Sequence, residues 1–382
     1  MAGWKPTPLL KVTPMKSVTG LILALCCIVP CRADGLPGDD ALTIEIRALA
    51  TDFAKIIEKK GGGAVAIGEF SGSSDIKGSI GPRLQLTMAA ELQTLMIKVD
   101  SDDYRFEIKG DYQPLEDKET KLLGVKLVGR LIDRETGEPL AEKPTGRFVF
   151  GAESVPTMLG LNIQPKPGAD ARDISDAAKK ALKSPSVHLK DTRLAVNPSS
   201  PYAIEVLVKN GDSYVARQIS PDDKGRPYVE LHNDEVYGVR LINDSPHTAA
   251  VDLRIDGVNS FAFSDSTSQF WIIDPHSRVD IIGWHKNNDH STEFKVVEDF
   301  ADSAAAKLHL KPSASIGLIT TAFRAAWKKD ATPPDDEPKL LADLGGRERS
   351  ATGFGKDVGF RTVQVSLVIG EPRDIISVRY NR

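Results

Sequence analysis

His285, Asp289 and His290 fall within one short stretch, His285-Lys286-Asn287-Asn288-Asp289-His290. Imidazole and carboxylate groups ligate zinc and other transition metals, so three of them in one turn could hold an ion for metal-assisted hydrolysis. The lysine and two asparagines among them support the opposite expectation, a hydrated hairpin tip without a metal. His276, in Asp274-Pro275-His276, reads as a turn residue, and His188, His232, His247 and His309 are scattered with no pair on one helix face. No serine occupies a Gly-x-Ser-x-Gly elbow. Ser264-Asp265-Ser266 and Asp244-Ser245 sit in turn-like stretches, where such side chains bond to nearby backbone groups. No two acids can be matched by spacing into an acid–base couple. The sequence therefore assigns no catalytic and no cofactor-binding residue, and His285, Asp289 and His290 remain the only metal candidates.

Two further patterns invite chemistry. A strand, a Gly/Ser loop and a helix follow one another from Ala64 to Met88, and helix N-termini bind phosphate. The loop lacks the order of a phosphate loop: Lys77-Gly78-Ser79 is scrambled, and Gly61, Gly63 and Ala66 precede the strand instead of following it. A surface connection is the expectation. Aromatic residues cluster later, at Phe261, Phe263, Phe270, Trp271 and Trp284. Trp271 and Trp284 are the candidates for a binding face, because amphipathic rings anchor protein and carbohydrate contacts. Core packing is the competing expectation for both.

The elements that would position these groups fall into two modules. The first, residues 40–160, is α/β. Leu42, Ile46, Leu49, Phe53, Ile56 and Ile57 recur at helical spacing, and Gly61-Gly62-Gly63 ends the helix. Ala64–Phe70 reads as a buried strand. A second helix near Pro82 carries Leu84, Met88, Leu92, Leu95 and Met96 on one face. Strands follow at 104–112, 121–133 and, in return, at 147–150, with a hairpin turn from Asp133 to Glu138. Residues 161–201, rich in Pro, Asp, Lys and Ser, read as a linker. The second module, 202–382, alternates as a β-sandwich does, with strands at 202–208, 213–219, 236–242, 249–255, 269–273, 278–284 and 292–297. Residues 314–327 read as a strand running into a short helix. Residues 361–369 and 374–380 read as a closing hairpin, and 328–358 as a polar excursion. The fold class expected is thus α+β, an α/β module followed by a mainly antiparallel β-sandwich.

The N-terminus reads as an export signal over residues 1–33. Lys16 precedes an apolar run, Thr19–Val29, which Pro30 breaks before Cys31-Arg32-Ala33. That run has 11 residues, short of the ~20 that cross a bilayer as a helix, so no span is expected after cleavage. Met15 would open a more compact signal. All 3 cysteines (Cys26, Cys27, Cys31) lie within it, so the mature chain would contain no disulfide and no thiol site. Removing its four basic residues takes the formal charge from −4 to −8, which argues against a nucleic-acid partner.

The first module resembles the α/β domain of bacterial envelope proteins of the curli-secretion CsgG type and of penicillin-binding-protein activators. The resemblance rests on Ala64-Val65-Ala66-Ile67-Gly68-Glu69-Phe70, the helix starting near Gly81-Pro82, Phe106-Glu107-Ile108-Lys109-Gly110-Asp111-Tyr112, and the Leu127–Leu140 hairpin. It implies a non-enzymatic domain that assembles with itself or with envelope partners. The expected function is an exported, periplasmic or extracellular, non-catalytic protein that binds a protein partner or surface polymer without a cofactor. The alternative is an exported hydrolase, metal-assisted around His285 and His290.

Overall fold

The computed structural model describes residues 41–72, 80–145, 154–166, 168–264, 268–287, 289–298, 300–308, 317–337, 348–354 and 362–380. The expected export segment, the Lys77-Gly78-Ser79 loop, the return strand at 147–150 and much of the 328–358 excursion lie outside the described residues.

Helix α1 (Ala41–Lys59) buries Leu42, Ile46, Leu49, Phe53 and Ile57, one stripe at 3- and 4-residue intervals. The chain leaves it through Gly61, Gly62 and Gly63, all at positive φ, where a side chain would be strained. Strand β1 (Val65–Gly72) runs parallel to β2 (Phe106–Glu116), and helix α2 (Ile80–Thr94) makes the crossover between them. Strands β2, β3 (Leu123–Asp133) and β4 (Pro139–Pro144) are antiparallel, giving the order β1-β2-β3-β4. The Asp133–Glu138 turn joins β3 to β4, with the Gly137 N–H on the Asp133 carbonyl at 2.8 Å. At Gly129 helix and sheet touch so closely that an added Cβ would lie 3.0 Å from the Phe53 ring. Met96 departs from expectation. The helix ends at Thr94, and Met96, at φ 61°, is 91% exposed.

The stretch expected as a linker carries regular structure. After α3 (Ser154–Leu159), Ile163 pairs with Ile375 through two backbone hydrogen bonds of 3.0 and 2.9 Å. Asn162 clasps the Ser377 backbone at both ends, donating from Nδ2 at 3.1 Å and accepting at Oδ1 at 2.8 Å. Helix α4 (Ala171–Lys183) is capped by Asp170, whose carboxylate takes the Arg172 and Asp173 N–H groups. It buries Ile174 and Ala178 against the first module's core. Strands β5 (His188–Lys190) and β6 (Arg193–Ala195) then enter the β module.

That module is mostly antiparallel. Its strands continue as β7 (Tyr202–Asn210), β8 (Ser213–Ala216), β9 (Ile219–Pro221), β10 (Pro227–Val229), β11 (Val236–Asn243), β12 (Ala249–Ile255), β13 (Val258–Asn259) and β14 (Trp271–Ile273). Next come β15 (Ser277–Ile281), β16 (Gly283–Asn287), β17 (His290–Lys295), the short helix α5 (Ala304–Lys307), β18 (Leu318–Trp327), β19 (Glu348–Phe354) and β20 (Thr362–Arg379). One sheet has the order β16-β17-β11-β7-β6-β5, with β15 also on β11 and β8 on β7. The other has the order β13-β12-β14-β19-β20-β10-β9, and β18 pairs with both β12 and β20. The pairings β12–β14–β19–β20–β18–β12 form a closed circuit, so this sheet is curled. Ile204, Val206, Val239 and Leu241 of the first sheet share one core with Val251, Leu253, Phe323, Ile376 and Val378 of the second.

Two expectations fail here for one reason, pairing on both sides. Strand β18 never turns helical: it is buried from Leu318 to Ala326 and lies between β12 and β20, which outweighs its small residues' helical preference. The described part of the expected closing hairpin, residues 362–380, forms no hairpin. Thr362–Arg379 is one strand, β20, whose register slips near Pro372, a residue without an N–H to give the ladder.

Candidate functional site

A cavity of about 590 Å3 opens at one end of the β module, between the β16–β17 hairpin, the α5 segment and the ends of both sheets. The hairpin depends on Gly283, where a Cβ would lie 2.2 Å from the Thr292 carbonyl oxygen. Strand β16 alternates. Trp284 and Lys286 face the cavity, and His285 does not line it.

The cavity wall continues into a chain of rings. Trp284 meets Phe263 edge-on at 5.4 Å and Phe294 edge-on at 5.1 Å. Phe294 stacks on Tyr237 at 5.6 Å, and Tyr237 lies 5.9 Å from Tyr380. The chain ends on Asp256. Its Oδ2 accepts the Tyr380 hydroxyl at 2.6 Å, and its Oδ1 accepts the Gly317 and Leu318 N–H groups at 2.7 and 3.1 Å. Asp256 and Gly257 are the two positive-φ residues of the tight turn between β12 and β13. The same aspartate thus makes the turn and anchors the cavity floor. Burial raises its carboxyl above the usual range, against the pull of the Tyr380 hydroxyl and the two N–H groups. Burial also pushes the Tyr237 and Tyr380 phenols well above theirs, so both stay neutral donors.

Charged groups ring the mouth. Lys295 pairs with Asp234 at 2.7 Å and Glu293 with Lys209 at 2.5 Å. Lys286, Lys307, Glu298 and Asp302 make no ion pair among the described residues.

The structure separates the candidates read from sequence. Trp284 lines the cavity, although it too is buried, 8% exposed, and belongs to the shared core. Trp271 is core: it is 2% exposed, packs on Phe261 at 4.5 Å and donates Nε1–H to the buried Ser260 hydroxyl at 2.8 Å. The metal candidates do not converge. His285 is 1% exposed, lies 4.8 Å from Phe261, and has Nδ1 2.8 Å from Ser264 Oγ. Asp289 and His290 are exposed at the hairpin tip, with His290 Nδ1 3.2 Å from Asn287 Oδ1. Among the described residues, no group of three or more His, Cys, Asp or Glu is placed to hold a metal. Burial holds the His285 imidazole below its usual value, so it is neutral near pH 7.

A second ionisable cluster sits where the modules meet. Asp374 is 0% exposed and contacts the Ser200 hydroxyl. Ser200 Oγ also donates to the Tyr202 carbonyl at 2.8 Å and accepts the Tyr202 N–H at 3.0 Å. A hydroxyl has one hydrogen, so with that hydrogen on the carbonyl, the contact to Asp374 needs a proton on the carboxyl. Burial agrees with this, pushing Asp374 up to about 7. Beside it Arg373 grips Asp336 at 2.5 Å and Glu337 at 3.0 Å.

Sequence reasoning picked out Trp284 and Phe263 as members of an aromatic cluster and missed Tyr237, Tyr380, Phe294 and Lys307. Asp256 was not among its candidates. Compared with known proteins, the chain matches no family model, and no curated protein and no solved structure matches it significantly.

Proposed function

We propose that this chain is an exported, non-catalytic protein of the cell envelope or its surroundings that binds a protein partner or a surface polymer through the aromatic cavity of its β module. One observation carries the reading: a cavity of about 590 Å3, within the usual range of ligand sites, with an aromatic wall, a hydrogen-bonded floor and a mouth of mixed charge. The export pattern of residues 1–33 is the reason for the compartment. The two facing sheets are read as a sandwich that holds the cavity at one end. By its resemblance to CsgG-type domains, the α/β module is assigned to assembly, with itself or with envelope partners. Among the described residues no helix is long and apolar enough to cross a membrane.

A pull-down from cell-envelope extract tests this, comparing the chain with its Lys286→Ala/Lys307→Ala variant. Specific retention by the first and loss by the second is expected. Retention of nothing, or equal retention by both, removes the reading. The second reading, an exported hydrolase, is favoured by the Ser264–His285 contact, which places a hydroxyl against a neutral imidazole. It requires an esterase or amidase activity that disappears in Ser264→Ala.

A further inference from the structure

The geometry points to a neutral, hydroxyl-rich saccharide segment as the occupant of the β-module cavity. This rests on the binding reading above and gives it a ligand class. Two features of the wall select that class. Phe263, half-buried, and Trp284, 8% exposed, line the cavity, and aromatic carbon suits the C–H face of a sugar. Around them stand three lysines (Lys286, Lys295, Lys307) and three acids (Glu293, Glu298, Asp302). Ammonium groups only donate hydrogen bonds and ionised carboxylates only accept. A ligand whose groups do both, as sugar hydroxyls do, can use every one of them.

The same wall argues against three other occupants. An anionic polymer needs an excess of cations, and here three lysines face four acids, Asp256 included. A lipid chain would use none of the six exposed charged groups around it. A peptide held by strand addition needs a free main-chain edge. Here the main chain of β17 is taken up in two stretches, residues 290–293 by β16 and Phe294 and Lys295 by β11. The backbone of β16 is engaged as well, since the His285 N–H bonds to the Ser260 carbonyl at 2.9 Å. The cavity therefore offers side chains, which is how a saccharide is held.

The test uses the full chain on an array of neutral oligosaccharides of glucose, galactose, mannose and N-acetylglucosamine. Acidic oligogalacturonate and phosphatidylglycerol vesicles serve as comparators. Hits are titrated by tryptophan fluorescence. Saturable binding of a neutral oligosaccharide is expected, with little change between about 50 mM and about 500 mM salt. It should weaken at least about tenfold in Trp284→Phe and in the exposed-rim pair Lys286→Ala/Lys307→Ala, whose folding is checked by thermal melting. Binding only to oligogalacturonate or only to vesicles overturns the assignment, as does a neutral hit unaffected by all variants. A blank array, with retention of an envelope partner that still depends on Lys286 and Lys307, overturns the saccharide class and leaves the binding reading standing. A blank array with no retained partner removes both.

Discussion

Asp374→Asn should abolish a large part of the chain's pH-dependent stability. The carboxyl is fully buried, and burial moves it from an ordinary 3.8 up to about 7. A raised acid binds its proton more tightly in the folded state, so between these two values the folded chain carries more protons than the unfolded one. Stability from this group is then greatest below the unfolded value and is lost as pH rises toward the folded value. Each pKa unit corresponds to about 1.4 kcal/mol, so the full shift represents on the order of 4 kcal/mol. About 2.5 kcal/mol of that falls between pH 5 and pH 8. Asparagine keeps the shape and offers an amide N–H to the Ser200 oxygen but has no titratable proton to lose. Urea unfolding of both proteins at several pH values gives the assay, with equal m-values as the check that the same surface unfolds. The stability of wild type minus that of Asp374→Asn should fall by about 2.5 kcal/mol from pH 5 to pH 8. A difference that stays flat over that range would show that Asp374 is ionised in the folded chain, and the one-hydrogen argument at Ser200 would be wrong.

Other outcomes follow from the same contacts. Tyr380→Phe removes the hydroxyl that Asp256 accepts at 2.6 Å, and denaturant unfolding should show a loss of about 1.5–3 kcal/mol. Asn162→Ala breaks both bonds to the Ser377 backbone and should destabilise by about 2 kcal/mol, with first-module and β-module probes no longer unfolding together. Trp271→Phe leaves the Ser260 hydroxyl without its indole partner and should lower stability by about 1–3 kcal/mol with partner retention unchanged. Asp289→Ala and His290→Ala, both exposed, should each change stability by less than about 0.5 kcal/mol and leave metal content unaltered by elemental analysis.

Local rules made part of this fold readable. The stripe of Leu42, Ile46, Leu49, Phe53 and Ile57 lies against the sheet as its spacing requires. Alternation found β7, β11 and β12, whose apolar faces meet in the shared core. Composition misled at 161–201. Helix α4 has few large apolar residues, Ile174 and Leu182 beside Ser175 and alanines, so its charges dominate the sequence, although Asp170 before Asp173 is a legible cap. Strand β18 and the unbroken β20 depend on neighbours distant in sequence, and no window within them shows that both edges are paired.

The site was legible in one residue at a time. Trp271 and Trp284 look alike in sequence, and what separates them is partners: an indole N–H on Ser260 for the first, a cavity for the second. His285 sits beside Trp284 and Lys286, and strand alternation alone takes it out of the cavity. Tyr237, Asp256 and Tyr380 come from β11, the β12–β13 turn and the residue after β20, and only the closed sheet brings them to one floor.

Hydrogen–deuterium exchange of the chain, alone and with envelope extract, tests the central claim most directly. Binding through the cavity predicts slowed exchange centred on residues 283–307, whether or not the first module is protected as well. Exchange unaltered throughout, or slowed only on the first module, would contradict the account.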